Sequence, residues 1–172
     1  MDERYRSGMG VNGMDLTDRI VGFIESIGLS CRSGTVDGKT VLPGILIVNG
    51  GIVYDTEKLR YPGDLLHEAG HLAVMSPERR MRAKPDVGKY AGEEMMAIAW
   101  SYAAGVHLDL DPAVVFHADG YRGGSASIVQ SFASPSAVGV PLLRWLGMTD
   151  GYPAMTRWLY DGSREAANRA FK

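Results

Sequence analysis

The stretch from Asp64 to Met75 constrains this chain more than any other. It contains His67-Glu68-Ala69-Gly70-His71, an H-E-x-x-H pattern. Leu65, Leu66, Ala69, Leu72 and Ala73 repeat at helical spacing, and Pro62-Gly63-Asp64 is a helix-start signal with Asp64 able to cap. Pro77 follows soon after the last periodic residue as a stop. On a helix, residues four apart stand one above the other, so His67 and His71 can present two imidazole nitrogens to one ion. Glu68 lies about 100° round the axis, where it reaches a water on the metal rather than the metal itself. The motif therefore supplies two ligands and one base. The bland alternative is a buried helix whose histidines are satisfied by hydrogen bonds, but a Glu beside two histidines in an apolar helix is costly without a partner.

The rest of the composition narrows the classes. The chain has 172 residues, 45% of them hydrophobic and 22% charged, which is ordinary for a globular domain. A net charge of −2 implies no pull toward nucleic acid or an anionic membrane surface. The one cysteine, Cys31, excludes an internal disulfide and fits a reducing compartment. Met1-Asp2-Glu3-Arg4-Tyr5-Arg6 is charged and leads into no apolar run, so no secretory signal is expected. No stretch approaches the roughly 20 apolar residues of a membrane span. The expected location is cytoplasmic.

In chain order, residues 1–14 read as a flexible arm and 15–172 as one domain. Leu16, Ile20, Phe23, Ile24 and Ile27 predict a packing helix, capped by Asp15 or Thr17 and ended by Gly28. Ser30 to Gly44 is turn-rich. Ile45 to Val48 and Ile52 to Tyr54 flank Asn49-Gly50-Gly51, which predicts a β-hairpin. An exposed strand edge there can bind an extended peptide by strand addition. Glu78 to Pro85 is basic but short and without aromatics, and reads as a solvated loop rather than a nucleic-acid patch. Residues 138–146 predict a helix entered near Pro141, and Pro153 to Tyr160 a final packing segment.

A catalytic zinc keeps three protein ligands, so a third is needed. Ala91 to Ala104 is a strong helix pattern that Gly105 is expected to close. Glu94 shares its face with Ala97, Ile98 and Ser101, as docking against the metal helix requires. The alternative is an acidic first turn favoured by the macrodipole, and Glu93 stands as the second candidate.

These residues resemble a family. The H-E-x-x-H motif followed by Glu94-Met95-Met96-Ala97-Ile98-Ala99-Trp100-Ser101 is similar to the gluzincin pattern of zinc metallopeptidases. The likeness is greatest to the compact cytosolic proteins related to phage-element anti-repressor peptidases and the bacterial radiation-response regulator peptidase. It covers roughly residues 45–104, and one departure is Ile98 where an Asn often follows the alanine. The resemblance implies an α+β zincin-like domain, with a small sheet and its edge strand packed beside the metal helix and the Glu94 helix. It implies Zn²⁺ held by His67, His71 and Glu94, Glu68 as base, and a peptide or protein substrate.

Other zinc classes fit less well. A metzincin needs Gly and His where the chain has Val74 and Pro77. The motif also resembles that of membrane-anchored AAA proteases, whose third ligand is a distant Asp such as Asp150, but no ATPase or membrane segment accompanies it. Peptide deformylases use an upstream Cys, yet their glycine-rich motif is missing and Cys31 reads as a small buried hydrophobe. His117 and Tyr121, in a polar glycine-rich loop, are candidate oxyanion stabilisers; His107 is expected to be exposed. Two further readings stay open: a zincin-like domain that binds a partner with little turnover, and a non-peptide amidohydrolase.

Overall fold

The computed structural model describes residues 15–38, 40–84, 90–120 and 125–164. The 1–14 arm, Tyr121 and the tail beyond 164 lie outside the described residues. The architecture is mixed α+β. In chain order it runs α1 (Leu16–Ser26), β1 (Cys31–Ser33), β2 (Ile45–Val48), β3 (Gly51–Tyr54), α2 (Asp64–Val74), α3 (Pro77–Met81), α4 (Ala91–His107), α5 (Pro112–Val115), α6 (Ser125–Phe132) and α7 (Val140–Trp145). None of these helices is long and apolar enough to cross a membrane.

The sheet has the order β1-β3-β2, with β3 between a parallel β1 and an antiparallel β2. Asn49 and Gly50 form the two-residue turn of the hairpin, both at positive φ (49° and 77°), as the tight turn between twisted strands requires. Gly51 is therefore the first residue of β3, paired with Val48, rather than part of the turn. Cys31, Ile52 and Ile47 stand in one row across the sheet, all three buried. Tyr54 and Ile45 form the next buried row. α1 packs on β1 and α2 on β3, so this alternating face makes one half of the core.

β1 falls in a stretch expected to be only turns. Its three residues carry no alternating pattern, and it forms because Ser30 and Tyr54 carbonyls exchange bonds with Ile52 and Gly34 across a parallel register. The basic segment after Ser76 is largely solvent-exposed as expected, but Pro77–Met81 is a short helix rather than a loop, with Pro at its start. Arg80 explains it. Its guanidinium donates to the carbonyls of Leu72, Met75 and Tyr160, each at 2.8 Å; the first two are acceptors that the end of α2 would leave orphaned. Gly105 does not end α4, which runs to His107; Gly105 is buried against Val115.

α2 and α4 make the most extensive helix contact of the fold. Gly70 is the reason that they come so close. A Cβ at that position would stand 2.8 Å from the Ala97 carbonyl oxygen and 3.3 Å from the Trp100 ring. Below the contact, Trp100 is fully buried, edge-on to Trp158 and close to Phe23. The segment after α7 closes over this pair. The Trp100 indole donates to the Trp158 carbonyl (3.0 Å), the Tyr152 hydroxyl to the Ala99 carbonyl (3.0 Å), and the Tyr160 amide to the Ala73 carbonyl (2.9 Å). Residues 153–160 thus pack as expected, though without regular secondary structure.

Gly70→Ala places a methyl group against backbone that cannot rotate away. Alanine favours a helix over glycine, yet the variant is expected to lose about 1–2 kcal/mol, because overpacking of a rigid contact outweighs propensity. Urea unfolding of the two proteins at one pH measures the sign.

Candidate metal centre

α2 is apolar on most of its surface and polar on one stripe. Asp64, His67, Glu68 and His71 fall within an arc of roughly 100°, while Leu65, Leu66, Ala69, Leu72 and Ala73 point into the core and are fully buried. The Gly70 contact lays α4 beside this stripe with Glu94, one turn before Ala97, level with the histidines.

Three side chains converge there. His67 Nε2 and His71 Nε2 are 3.1 Å apart. Glu94 Oε1 lies 3.6 Å from the first and Glu94 Oε2 3.2 Å from the second. Zinc–nitrogen and zinc–oxygen bonds near 2.0–2.1 Å in a tetrahedron give donor–donor edges of about 3.3 Å, and each of these separations, two of them to different oxygens of Glu94, is near that length. The donor set points the same way. Two imidazole nitrogens facing each other at this distance repel unless a proton or a cation lies between them. His71 is buried, with its side chain 3% exposed, whereas His67 and Glu94 are 13% and 35% exposed. The cluster is open on one side, as a catalytic rather than a purely structural site is. Among the described residues it is the one group of His, Cys, Asp or Glu side chains with metal-ligand geometry.

The choice between adjacent glutamates is made by α3. Glu93 is buried and ion-paired with Arg79, and Arg79 also lies over the Tyr90 ring. With Glu93 drawn toward α3, Glu94 is turned to the histidines. Cys31 sits in β1 under the sheet, where burial raises its thiol to about 12, so it behaves as a small hydrophobe. His107 is exposed at the end of α4, beside Phe23 and Trp158.

Burial shapes the electrostatics. It lowers His67 to about 4, helped by the neighbouring His71 and opposed by Glu94 and Asp64. A neutral imidazole is the form that binds a metal. Burial also pushes the Glu68 carboxyl up to about 7, with Asp64 and Glu94 acting in the same direction and His71 against. The hydrogen bond from His71 holds Glu94 below the usual carboxylate range.

Asp64 was expected to cap α2. It makes no side-chain cap and instead bonds His117, Oδ1 to Nε2, at 2.8 Å. His117 is thus brought to the N-terminal end of the polar stripe, buried and held through Asp64. Its loop can come this close because Gly63 has no side chain: a Cβ there would overlap the Val114 carbonyl. Asp64, Arg79 and Arg80 are the site-supporting residues that sequence reasoning missed. For Asp64 the signal was present, since it shares the face of His67, Glu68 and His71.

His67 and Glu68 set a pH signature for the metal-free protein. As pH falls through the range from 6.5 to about 4, the unfolded chain protonates His67 before the folded one does, so stability is lost. As pH falls from about 7 to 4.5, the folded chain protonates Glu68 first, so stability is gained. Between pH 7 and 5 the two nearly cancel. Glu68→Gln removes the second effect, and the EDTA-treated variant is expected to lose about 2 kcal/mol more than wild type over that interval. Denaturant unfolding at both pH values checks it; equal slopes would contradict the assignment.

Comparison with known proteins returned no matching family model, no matching curated protein and no matching solved structure.

Proposed function

We propose that this chain is a zinc-dependent metallopeptidase of gluzincin type with a zincin-like fold, working in the cytoplasm. The convergence of His67 Nε2, His71 Nε2 and a Glu94 carboxylate, with Glu68 on the same stripe and one side open, carries this reading. His67, His71 and Glu94 are the residues that would hold the ion. Bound there, zinc supplies Lewis acidity to a scissile carbonyl and makes water acidic near neutral pH.

The chain's own groups do the rest. Glu68 accepts the proton of the attacking water on its carboxylate and returns it to the leaving nitrogen. Burial raises the Glu68 carboxyl, the direction that makes it a better base. His71, buried, fixes the register of the set, and the more open His67 and Glu94 face the substrate side. β2 is an edge strand of the described sheet, and β3 next to it packs on α2. An extended peptide added along β2 gains main-chain hydrogen bonds without side-chain specificity, which supports peptide over small amides as substrate. The lone cysteine, buried in β1, suits a reducing compartment.

Metal content and hydrolysis in four variants test this. Wild type is expected to bind about one zinc, His67→Ala and Glu94→Gln to lose or weaken it, and Glu93→Gln to keep it. Glu68→Gln is expected to keep zinc and lose at least about a hundredfold in peptide hydrolysis, the scale of general acid–base catalysis. A wild-type protein that neither carries zinc nor takes it up would overturn the metal reading. Zinc binding with hydrolysis unchanged in Glu68→Gln would overturn the peptidase mechanism alone.

A further inference from the structure

We propose that Asp64 and His117 form an outer carboxylate–imidazole pair that strengthens cation binding by His67, His71 and Glu94, with His117 a positioning residue acting through Asp64. The proposal rests on the metal reading above and does not depend on hydrolysis.

Geometry comes first. Asp64 is one turn before His67 and Glu68 and two turns before His71, on the same stripe. Its side chain is 8% exposed and that of His117 5%, so neither exchanges its partner freely with water. The imidazole is fixed on three sides. Nε2 meets Asp64 Oδ1 at 2.8 Å. The Tyr61 ring stacks on its face, with centroids 3.6 Å apart and planes 13° from parallel, and the Tyr61 hydroxyl donates to Asp119. Gly120 closes the ring edge: a Cβ there would stand 2.8 Å from Cε1. A ring held this tightly keeps the Asp64 carboxylate in one orientation.

Charge comes next. His117 Nδ1 is buried and finds no partner among the described residues. A protonated ring would leave a charged N–H there without an acceptor, which is far costlier than an unused lone pair. The arrangement fits an Nε2–H donating to the Asp64 carboxylate, which brings negative charge to this end of the stripe. That charge lies one helical turn from His67 on the same stripe of α2. The same field draws a dication into the site, and low local dielectric makes it effective over one helical turn. The His117 donor offsets the cost of burying that carboxylate. His117 thus serves cation binding without touching the cation.

Three variants separate charge from hydrogen bond. Asp64→Asn keeps an oxygen that accepts from Nε2–H but removes the charge. His117→Leu keeps the volume and removes the donor. His117→Gln restores a donor near the place of Nε2. Zinc affinity is read by competition with a chromophoric chelator, and the stability of each EDTA-treated protein by urea unfolding. Asp64→Asn and His117→Leu are expected to bind zinc about tenfold more weakly, the lower end of the range for partners beyond the ligands, and His117→Gln to stay within about threefold of wild type. Unchanged zinc affinity in Asp64→Asn and His117→Leu overturns the proposal and leaves the metal site standing. Losses that only follow the drop in metal-free stability, with no rescue by glutamine, also overturn it, in favour of a purely structural pair. A wild type that takes up no zinc removes the metal reading and this inference together.

Discussion

The approach of α2 to α4 at Gly70 is the contact on which the site depends. Two helices carrying ordinary side chains pack with axes about 8–10 Å apart. Here one backbone meets the other with only a hydrogen between the Gly70 Cα and the Ala97 carbonyl. Glu94 has a short reach beyond its helix, and the histidine nitrogens stand 3.2 and 3.6 Å from its oxygens. A wider spacing would take the carboxylate out of range. Gly70 is thus as much a part of the site as the residues that flank it, although it contributes no donor atom.

Holding this pair in place requires anchors at both ends. At the C-terminal end of α2, Arg80 gathers carbonyls from Leu72, Met75 and Tyr160, which joins α3 and the late segment to the helix that bears the histidines. At the start of α4, Arg79 pairs with Glu93 and sets the rotation of the first turn. Arg79 is 47% exposed, so its ion pair contributes orientation more than stability. At the N-terminal end of α2, Asp64 and His117 close the polar stripe. Two of the anchors are neighbours in α3 and the third joins α2 to the segment after α5; Arg80 bears on axial position, Arg79 on rotation, and Asp64 with His117 on the charged end.

Much of this was written in local pattern, and the rest was not. The spacing of Leu16, Ile20, Phe23 and Ile24 marks α1, the Asn49-Gly50 pair marks the hairpin, and the H-E-x-x-H frame marks α2, because each depends on neighbours in sequence. The convergence of Glu94 with His67 and His71 was legible from helix faces, since small residues at i+3 and i+7 leave room for a partner helix. β1 was not legible, because its three residues are a strand only by virtue of β3. α3 was not, because a run of arginines looks solvated until Arg80 finds three carbonyls from elsewhere in the chain. Gly105 misled for a similar reason: a glycine inside a helix reads as an end unless the Val115 side chain that packs on it is known. In each case the missing information is a partner distant in sequence.

The electrostatic state of the stripe follows from the same packing. Asp64, His67, Glu68 and His71 are on a helix whose other faces are the core, so they are drawn out of water by the burial of Leu65, Leu66 and Leu72 rather than by any affinity for one another. Desolvation disfavours charge, which is why His67 is driven down and Glu68 up, in opposite directions from their ordinary values. A neutral imidazole beside a raised carboxyl is a poor arrangement for stability and a suitable one for chemistry, since the first is the form that can hold a cation and the second can exchange a proton. The apolar residues of α2 supply that tuning. A substitution that loosened the core beneath the stripe would admit water, return both groups toward their ordinary values, and weaken the site without altering one of its polar side chains.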